Sequence, residues 1–243
     1  MIRHGVAFSA FVSVLTLSTR VLAQNLIVNG GFEAGNTGFV SDYSFSAGGN
    51  CCEGQYTVRG NGNTFNGSFV NPPPSTPGSV LMMVCNGSTS PGLRVWFAAV
   101  AVSPGQTYRL NARGCTAVAG GPAVLHWKVD GVFIGASTTL PEVTREWVDV
   151  PAEWTAPPGT TSILLAVENR NTGRFPNDFY MDDLVMEVVC RADFNGDGFL
   201  DFFDYADFVA AFESGDPRAD LNGDGFLDFF DYDDFVAAFE SGC

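Results

Sequence analysis

Residues 193–204 read Asp-Phe-Asn-Gly-Asp-Gly-Phe-Leu-Asp-Phe-Phe-Asp, and residues 220–231 read Asp-Leu-Asn-Gly-Asp-Gly-Phe-Leu-Asp-Phe-Phe-Asp. One twelve-residue pattern thus stands twice, opening at Asp193 and again at Asp220. Oxygen-bearing side chains occupy positions 1, 3, 5, 9 and 12 of each copy, and glycine occupies position 6. A hard cation gathers about six to eight oxygens at once. Alternate residues can point at one centre only where the chain turns sharply, and the glycine permits that turn. Two solvated acidic turns would have no reason to repeat both the glycine and every oxygen position.

The spacing is that of an EF-hand calcium loop. The expected ligands are Asp193, Asn195, Asp197, the Phe199 carbonyl, Asp201 and Asp204, then Asp220, Asn222, Asp224, the Phe226 carbonyl, Asp228 and Asp231. Two features depart from a calcium sensor. Position 12 is Asp rather than Glu, and Met186–Cys190, before the first loop, reads as a strand end rather than a helix. A helix is predicted after each loop instead, over Asp204–Phe212 and Asp231–Phe239. Phe208 and Phe212 lie four apart, as do Phe235 and Phe239, so each helix has an apolar face.

A duplicated loop-then-helix with Asp at position 12 resembles a dockerin, a small calcium-folded module that attaches secreted bacterial proteins to a cohesin. The resemblance covers residues 190–243, and the closing Ser241-Gly242-Cys243 is similar to the variant ending in Gly-Cys. It implies that loop positions 10 and 11 choose the partner. Here these are Phe202, Phe203, Phe229 and Phe230, with Val209-Ala210 and Val236-Ala237 downstream and no basic residue among them. We expect one Phe of each pair in the small core and the other exposed, as an apolar docking patch. All four in the core is the competing expectation. The departure from the usual recognition residues leaves a cohesin-like protein or another surface receptor as the partner.

Residues 190–243 carry 14 acidic side chains against Arg191 and Arg218, a net of −12 that two calcium ions would reduce to −8. So short a segment has little core and needs a staple. Calcium is one, and a Cys190–Cys243 disulfide joining the module's first and last residues is the second expected. Metal binding and folding are then coupled.

The first 23 residues read as a secretory signal peptide. Arg3 and His4 open it, Gly5–Ser18 is mostly apolar, and Val21-Leu22-Ala23 precedes an expected cut at Gln24. Arg20 ends the apolar run short of the ~20 residues a membrane span needs. An exported protein, extracellular or on the cell surface, is expected, with no membrane span. Without Arg3 and Arg20 the net charge of −15 becomes −17. Such a chain has no basic patch for nucleic acid and is repelled by anionic membranes. With Cys190 and Cys243 paired, Cys51, Cys52, Cys85 and Cys115 remain. Adjacent cysteines rarely bond each other. The pairing is 51–85 with 52–115, or 51–115 with 52–85, and both stay open. No Cys-x-x-Cys spacing supports zinc.

Residues 24–189 read as all-β. Strands are predicted at Val95–Val102, Tyr108–Ala112, Val124–Val129, Val132–Gly135, Trp147–Val150, Ser162–Glu168 and Asp178–Val188, between Gly-, Pro-, Asn- and Ser-rich turns. Ser103-Pro104-Gly105-Gln106 and Asp130-Gly131 are turn signals. Many short strands suggest a sandwich or jelly roll. Asn25–Glu33 resembles the opening strand of galactose-binding-like jelly rolls, which include carbohydrate-binding modules, and Asn177–Leu184 resembles their closing strand. That resemblance implies a structural calcium joining the two ends through Glu33 with Asp182 or Asp183. The alternative is carboxylates that cap strand ends. The predicted fold class is mainly β: a jelly-roll sandwich (24–189) followed by a small α-helical calcium-binding module (190–243).

Ligand contacts in the sandwich are less legible. Trp96, Trp127, Trp147 and Trp154 could stack on sugars. Trp127 alternates with Leu125 and Val129, the pattern of a core face. Trp96 is adjacent to Phe97, so one of the two should face outward. Loop 36–66, with Tyr43, Phe45 and Tyr56, is a second candidate surface. Pro72-Pro73-Pro74 reads as a stiff connection. No nucleophile elbow, zinc-protease motif or phosphate loop is present. Glu142, Glu146, Asp149 and Glu153 could mimic a glycosidase acid pair but read better as a solvated strand face. The sequence therefore points to a non-catalytic protein whose sandwich binds glycan and which is displayed through the C-terminal module. A structural or adhesive surface protein and a polysaccharide-active enzyme are the alternatives.

Overall fold

The computed structural model describes residues 19–20, 24–50, 52–173 and 176–241. The expected leader lies outside the described residues apart from a short strand, β1 (Thr19–Arg20). Cys51 and Cys243 also lie outside them. The chain forms two compact units, Ala23–Val189 and Cys190–Cys243 with Met1–Leu22. Among the described residues no helix is long and apolar enough to cross a membrane.

The larger unit runs β2 (Ser44–Phe45), β3 (Gln55–Arg59), β4 (Met82–Asn86), β5 (Arg94–Ala101), β6 (Thr107–Thr116), β7 (Val124–Val129) and β8 (Val132–Phe133). It continues through β9 (Thr138–Thr139), β10 (Trp147–Asp149), β11 (Ala152–Thr155), β12 (Ser162–Asn169) and β13 (Phe179–Val188). The first sheet has the order β10-β6-β13-β4-β3-β2, with β11 also on β6; the second has the order β5-β12-β7-β8, with β9 also on β7. All pairs are antiparallel except β2 with β3. This is a two-sheet sandwich, and its sheet interiors follow the predicted strands closely. Asp130 and Gly131 both take positive φ, 49° and 84°, as a two-residue hairpin turn requires. The predicted opening strand is different: residues 25–33 form turns, tied to the last strand where the Leu26 N–H donates to the Met186 carbonyl at 2.8 Å.

Alternation along the strands fills the core. Leu125, Trp127 and Val129 of β7 lie on one face of the second sheet with Trp96 and Val100 of β5 and Leu165 and Val167 of β12. Trp96 and Trp127 meet edge to face at 6.4 Å, and the Trp127 indole donates to the Val150 carbonyl at 2.8 Å. A smaller cluster lies on the outer face of the first sheet, where Phe65 and Phe69 pack on Met82, Val84, Cys115, Ala117 and Tyr180.

The smaller unit holds β14 (Phe199–Leu200), α1 (Phe202–Ser214) and α2 (Phe229–Ser241), with β1 paired to β14. Each helix begins two residues before its predicted start. The reason is a capping box: the Asp201 side chain accepts the Phe203 N–H at 2.8 Å while Asp204 accepts the Asp201 N–H at 2.9 Å. Position 9 is thus the helix cap, and position 12 already lies in the first turn. Gly215 ends α1 in the left-handed conformation, φ 73°.

Candidate functional site

The two loops use one hydrogen-bonding scheme. In the first, Asp204 accepts the N–H groups of Asn195 (3.2 Å) and Asp201 (2.9 Å), Asn195 accepts that of Asp197, and Asp197 accepts that of Phe199. In the second, Asp231 accepts those of Asn222 (3.2 Å) and Asp228 (3.0 Å), Asn222 accepts that of Asp224, and Asp224 accepts that of Phe226. Asp193 and Asp220 accept the N–H of Gly198 (3.0 Å) and Gly225 (2.9 Å), which closes each turn. Asp204 and Asp231 are fully buried. The backbone N–H groups thus hold the side chains of positions 1, 3, 5 and 12 in the same way in both loops. Among the described residues no three Asp, Glu, His or Cys side chains converge closely enough to form a ready cation cage. The donor set still fits a hard cation, being all oxygen at EF-hand spacing. Asp193 Oδ1 is moreover buried with no hydrogen-bond partner, an acceptor that a cation would satisfy.

Cys190 is disulfide-bonded; its expected partner, Cys243, lies outside the described residues. The sandwich pairings are corrected: Cys85 and Cys115 are buried free thiols. Cys85 belongs to the core between the sheets and Cys115 to the outer cluster, so they face opposite ways from one sheet.

The four recognition-position phenylalanines overturn both expectations. Phe202, Phe203, Phe229 and Phe230 are 64–71% exposed, so neither member of either pair enters the core. The early helix starts place them in the first turns, away from the packed face. The core uses Leu200, Phe208, Ala211, Leu221 and Phe235, flanked by Phe194, Phe212 and Phe239.

In the sandwich, Glu33, Asp182 and Asp183 meet one stretch of chain, residues 76–81. Glu33 Oε1 accepts the N–H groups of Val80 (2.6 Å) and Leu81 (3.0 Å), Asp182 accepts the Ser79 hydroxyl at 2.7 Å, and Asp183 accepts the Thr76 hydroxyl at 3.3 Å. Protein donors thus hold much of the set, while Asp183 Oδ2 stays buried without a partner. Burial raises the Asp182 carboxyl to about 6.

Trp96 and Trp127 are wholly buried, so the outward member of the Trp96–Phe97 pair is Phe97. Trp154 stacks on Tyr108 and Trp147 donates to the Pro73 carbonyl at 2.8 Å; both are half-buried. In loop 36–66, Tyr43 and Tyr56 are buried and Phe45 is exposed. Glu142, Glu146, Asp149 and Glu153 are exposed. His126 stacks on Phe133 and meets the Gly135 carbonyl at 3.1 Å. Sequence reading missed Tyr180 and Arg113 on the outer face of the first sheet. Period-two alternation through Tyr180 and Asp182 was the available signal.

No family model and no curated protein matches the chain. Among solved structures, it is similar to the N-terminal CBM22-1–CBM22-2 tandem domain of Paenibacillus barcinonensis Xyn10C, at 15% identity and TM-score 0.48 over 71% of this chain and 48% of that one. It is also similar to a family 16 carbohydrate-binding module (18% identity, TM-score 0.38, 67% of this chain and 99% of that one). A third likeness is to the EclA C-terminal domain, a sugar-binding protein, at 16% identity and TM-score 0.32 over 39% of this chain and 66% of that one. The chain thus spans less than two thirds of the tandem domain and of the EclA domain.

Proposed function

We propose that this is an exported, non-catalytic protein whose sandwich binds carbohydrate and whose C-terminal module, of the dockerin kind, is folded by calcium and docks onto a partner protein. The observation that carries the docking half is the hydrogen-bond scheme repeated around Asp204 and Asp231, with Asp193 Oδ1 left buried and unpartnered. The expected ligand sets are those of positions 1, 3, 5, 7, 9 and 12. Bound calcium supplies positive charge where the module has a net of −12. The protein's own part is to orient the carboxylates through backbone N–H groups and to start a helix directly after each loop. A Cys190–Cys243 bond would close the module. A further calcium would lie between Glu33, Asp182 and Asp183. Exposed Phe202, Phe203, Phe229 and Phe230 form the docking patch, for a cohesin-like protein or another surface receptor. The carbohydrate half is supported by the two-sheet sandwich fold with the galactose-binding-like resemblance of its closing strand.

Calorimetric titration of the mature chain with calcium tests the docking half; two sites in the C-terminal module are expected, and no heat above the buffer control refutes it. A glycan array tests the carbohydrate half against a surface protein that binds no sugar.

A further inference from the structure

The connection between β3 and β4 is far longer than its geometry needs. The two strands are antiparallel neighbours, paired from Gln55–Asn86 to Arg59–Met82, and such a pair can be closed by about two residues. Residues 60–81 intervene instead. The ends of the excursion meet: a Cβ on Gly60 would lie 2.6 Å from the Val80 carbonyl oxygen. The excursion holds only one short 3-10 turn, Gly62–Thr64, and connections this long with so little structure of their own are uncommon in compact domains.

The excursion lies on the outer face of the first sheet. Register places Tyr180 of β13 beside Cys115 of β6, with Trp147 of β10 beyond, and Asp182 beside Arg113. The covering segment meets this row with acceptor oxygens, a hydroxyl and an apolar edge. The Trp147 indole donates to the Pro73 carbonyl at 2.8 Å, Arg113 donates to the Ser75 carbonyl, and the Ser75 hydroxyl donates to Asp182 at 2.5 Å. Phe69 sets its edge against Tyr180, ring centres 6.2 Å apart, and the Val70 N–H reaches the Ala117 carbonyl at 3.0 Å. These are the contacts a sugar makes with a binding face: ring oxygens and hydroxyls on polar groups, C–H edges on aromatics. The segment is an incomplete occupant. Tyr180 is fully buried, yet its hydroxyl has no partner and abuts Gly62 of the segment, whereas Arg113 Nε is held by the Asp149 carboxylate at 3.7 Å. A buried hydroxyl without a partner is costly, and a polyhydroxylated ligand would supply one.

We infer that residues 61–79 are a self-occupying strap on a carbohydrate face formed by Trp147, Tyr180 and Arg113, and that a saccharide chain binds by displacing it. This rests on the carbohydrate reading of the sandwich. Only molecules with the strap open can bind, so apparent affinity falls by the open fraction.

The test replaces Asn61–Ser79 with an Asn-Gly turn in the full chain and compares it with wild type on a glycan array, then by calorimetry with the best-binding oligosaccharide. Excision is expected to raise affinity about tenfold or more, and Trp147→Ala or Arg113→Ala in the excised chain is expected to abolish the gain. Thermal melts check folding. If excision unfolds the sandwich, amide exchange of wild type gives the answer, because bound oligosaccharide must deprotect Val70. Equal affinity of the two chains, or sugar binding with Val70 protection unchanged, overturns the strap and leaves the carbohydrate reading standing. No binding by either folded chain across the array overturns both.

Discussion

Phe208 and Phe235 stack face to face, ring centres 4.2 Å apart and planes within 6°. They are the same position of the two repeats, so the duplicated sequence meets itself at the centre of the module. Around them sit Ala192, Leu200, Ala211, Ala219 and Leu221. The two rings are the largest fully buried side chains of the module, so it cannot absorb the loss of either.

Phe208→Ala or Phe235→Ala is therefore expected to cost about 3–5 kcal/mol and to unfold the module near room temperature even in saturating calcium. Phe202→Ala, at an exposed position, should change stability by no more than about 0.5 kcal/mol. Helical circular dichroism of the two variants checks the contrast.

Asp204→Ala removes a proposed calcium ligand and the side chain that accepts the Asp201 N–H. Calorimetry of this variant is expected to report one calcium site in the module where the parent shows two, with the helical signal reduced. An unchanged count of two would remove Asp204 from the ligand set.

The docking patch predicts graded behaviour. Phe202 and Phe203 repeat as Phe229 and Phe230, so a partner of the proposed patch would meet the same pair in either copy. Replacing one pair with alanine should weaken binding only a few-fold, whereas replacing both should abolish it. Surface plasmon resonance with the captured partner distinguishes this from a patch that uses one copy.

Asp178 is fully buried; its Oδ1 accepts the Gly87 N–H at 2.8 Å and its Oδ2 has no partner. Burial raises its carboxyl from 3.8 to about 6, helped by the charge of Glu53. The folded state therefore holds this proton to higher pH than the unfolded chain does. Its contribution favours folding below the unfolded value and is lost as pH rises through about 6. Asp178→Asn should stabilise the sandwich at pH 7 by roughly 1–3 kcal/mol, with the advantage gone near pH 4. Melting curves across that range measure it.

Cys85 and Cys115 are buried thiols, and burial pushes the Cys115 thiol up to about 11. Alkylation at pH 8 should leave both untouched in the native chain and label both in denaturant. Mass mapping of the labelled peptides reads the outcome, and labelling of native Cys85 would contradict its place in the core.

The strands of the sandwich were legible because each is short, apolar on alternate residues and bounded by turn chemistry. Val124–Val129 and the Asp130-Gly131 hairpin are the clearest cases. The duplicated loop was legible because the sequence repeats residue type as well as spacing, and both copies take the same hydrogen bonds. The helix starts were not, because the same aspartates serve as loop positions and as helix caps. The placement of Phe202 and Phe203 followed that error. The expected cysteine pairs failed because pairing depends on which way a strand faces, and composition does not carry that. The outer face of the first sheet was hidden for a related reason: Pro72–Pro74 read as a connection, with nothing local to say which surface it crosses.

The helices begin at Phe202 and Phe229, directly after Asp201 and Asp228, so loop closure and presentation of the aromatic pairs are one event. If calcium closes the loops, the docking epitope exists only where the ion is abundant. A chain still inside a calcium-poor cytoplasm would then carry no competent adhesive surface, and export itself would arm it. Chelation would reverse the step, releasing the whole protein from its anchor without cutting a bond.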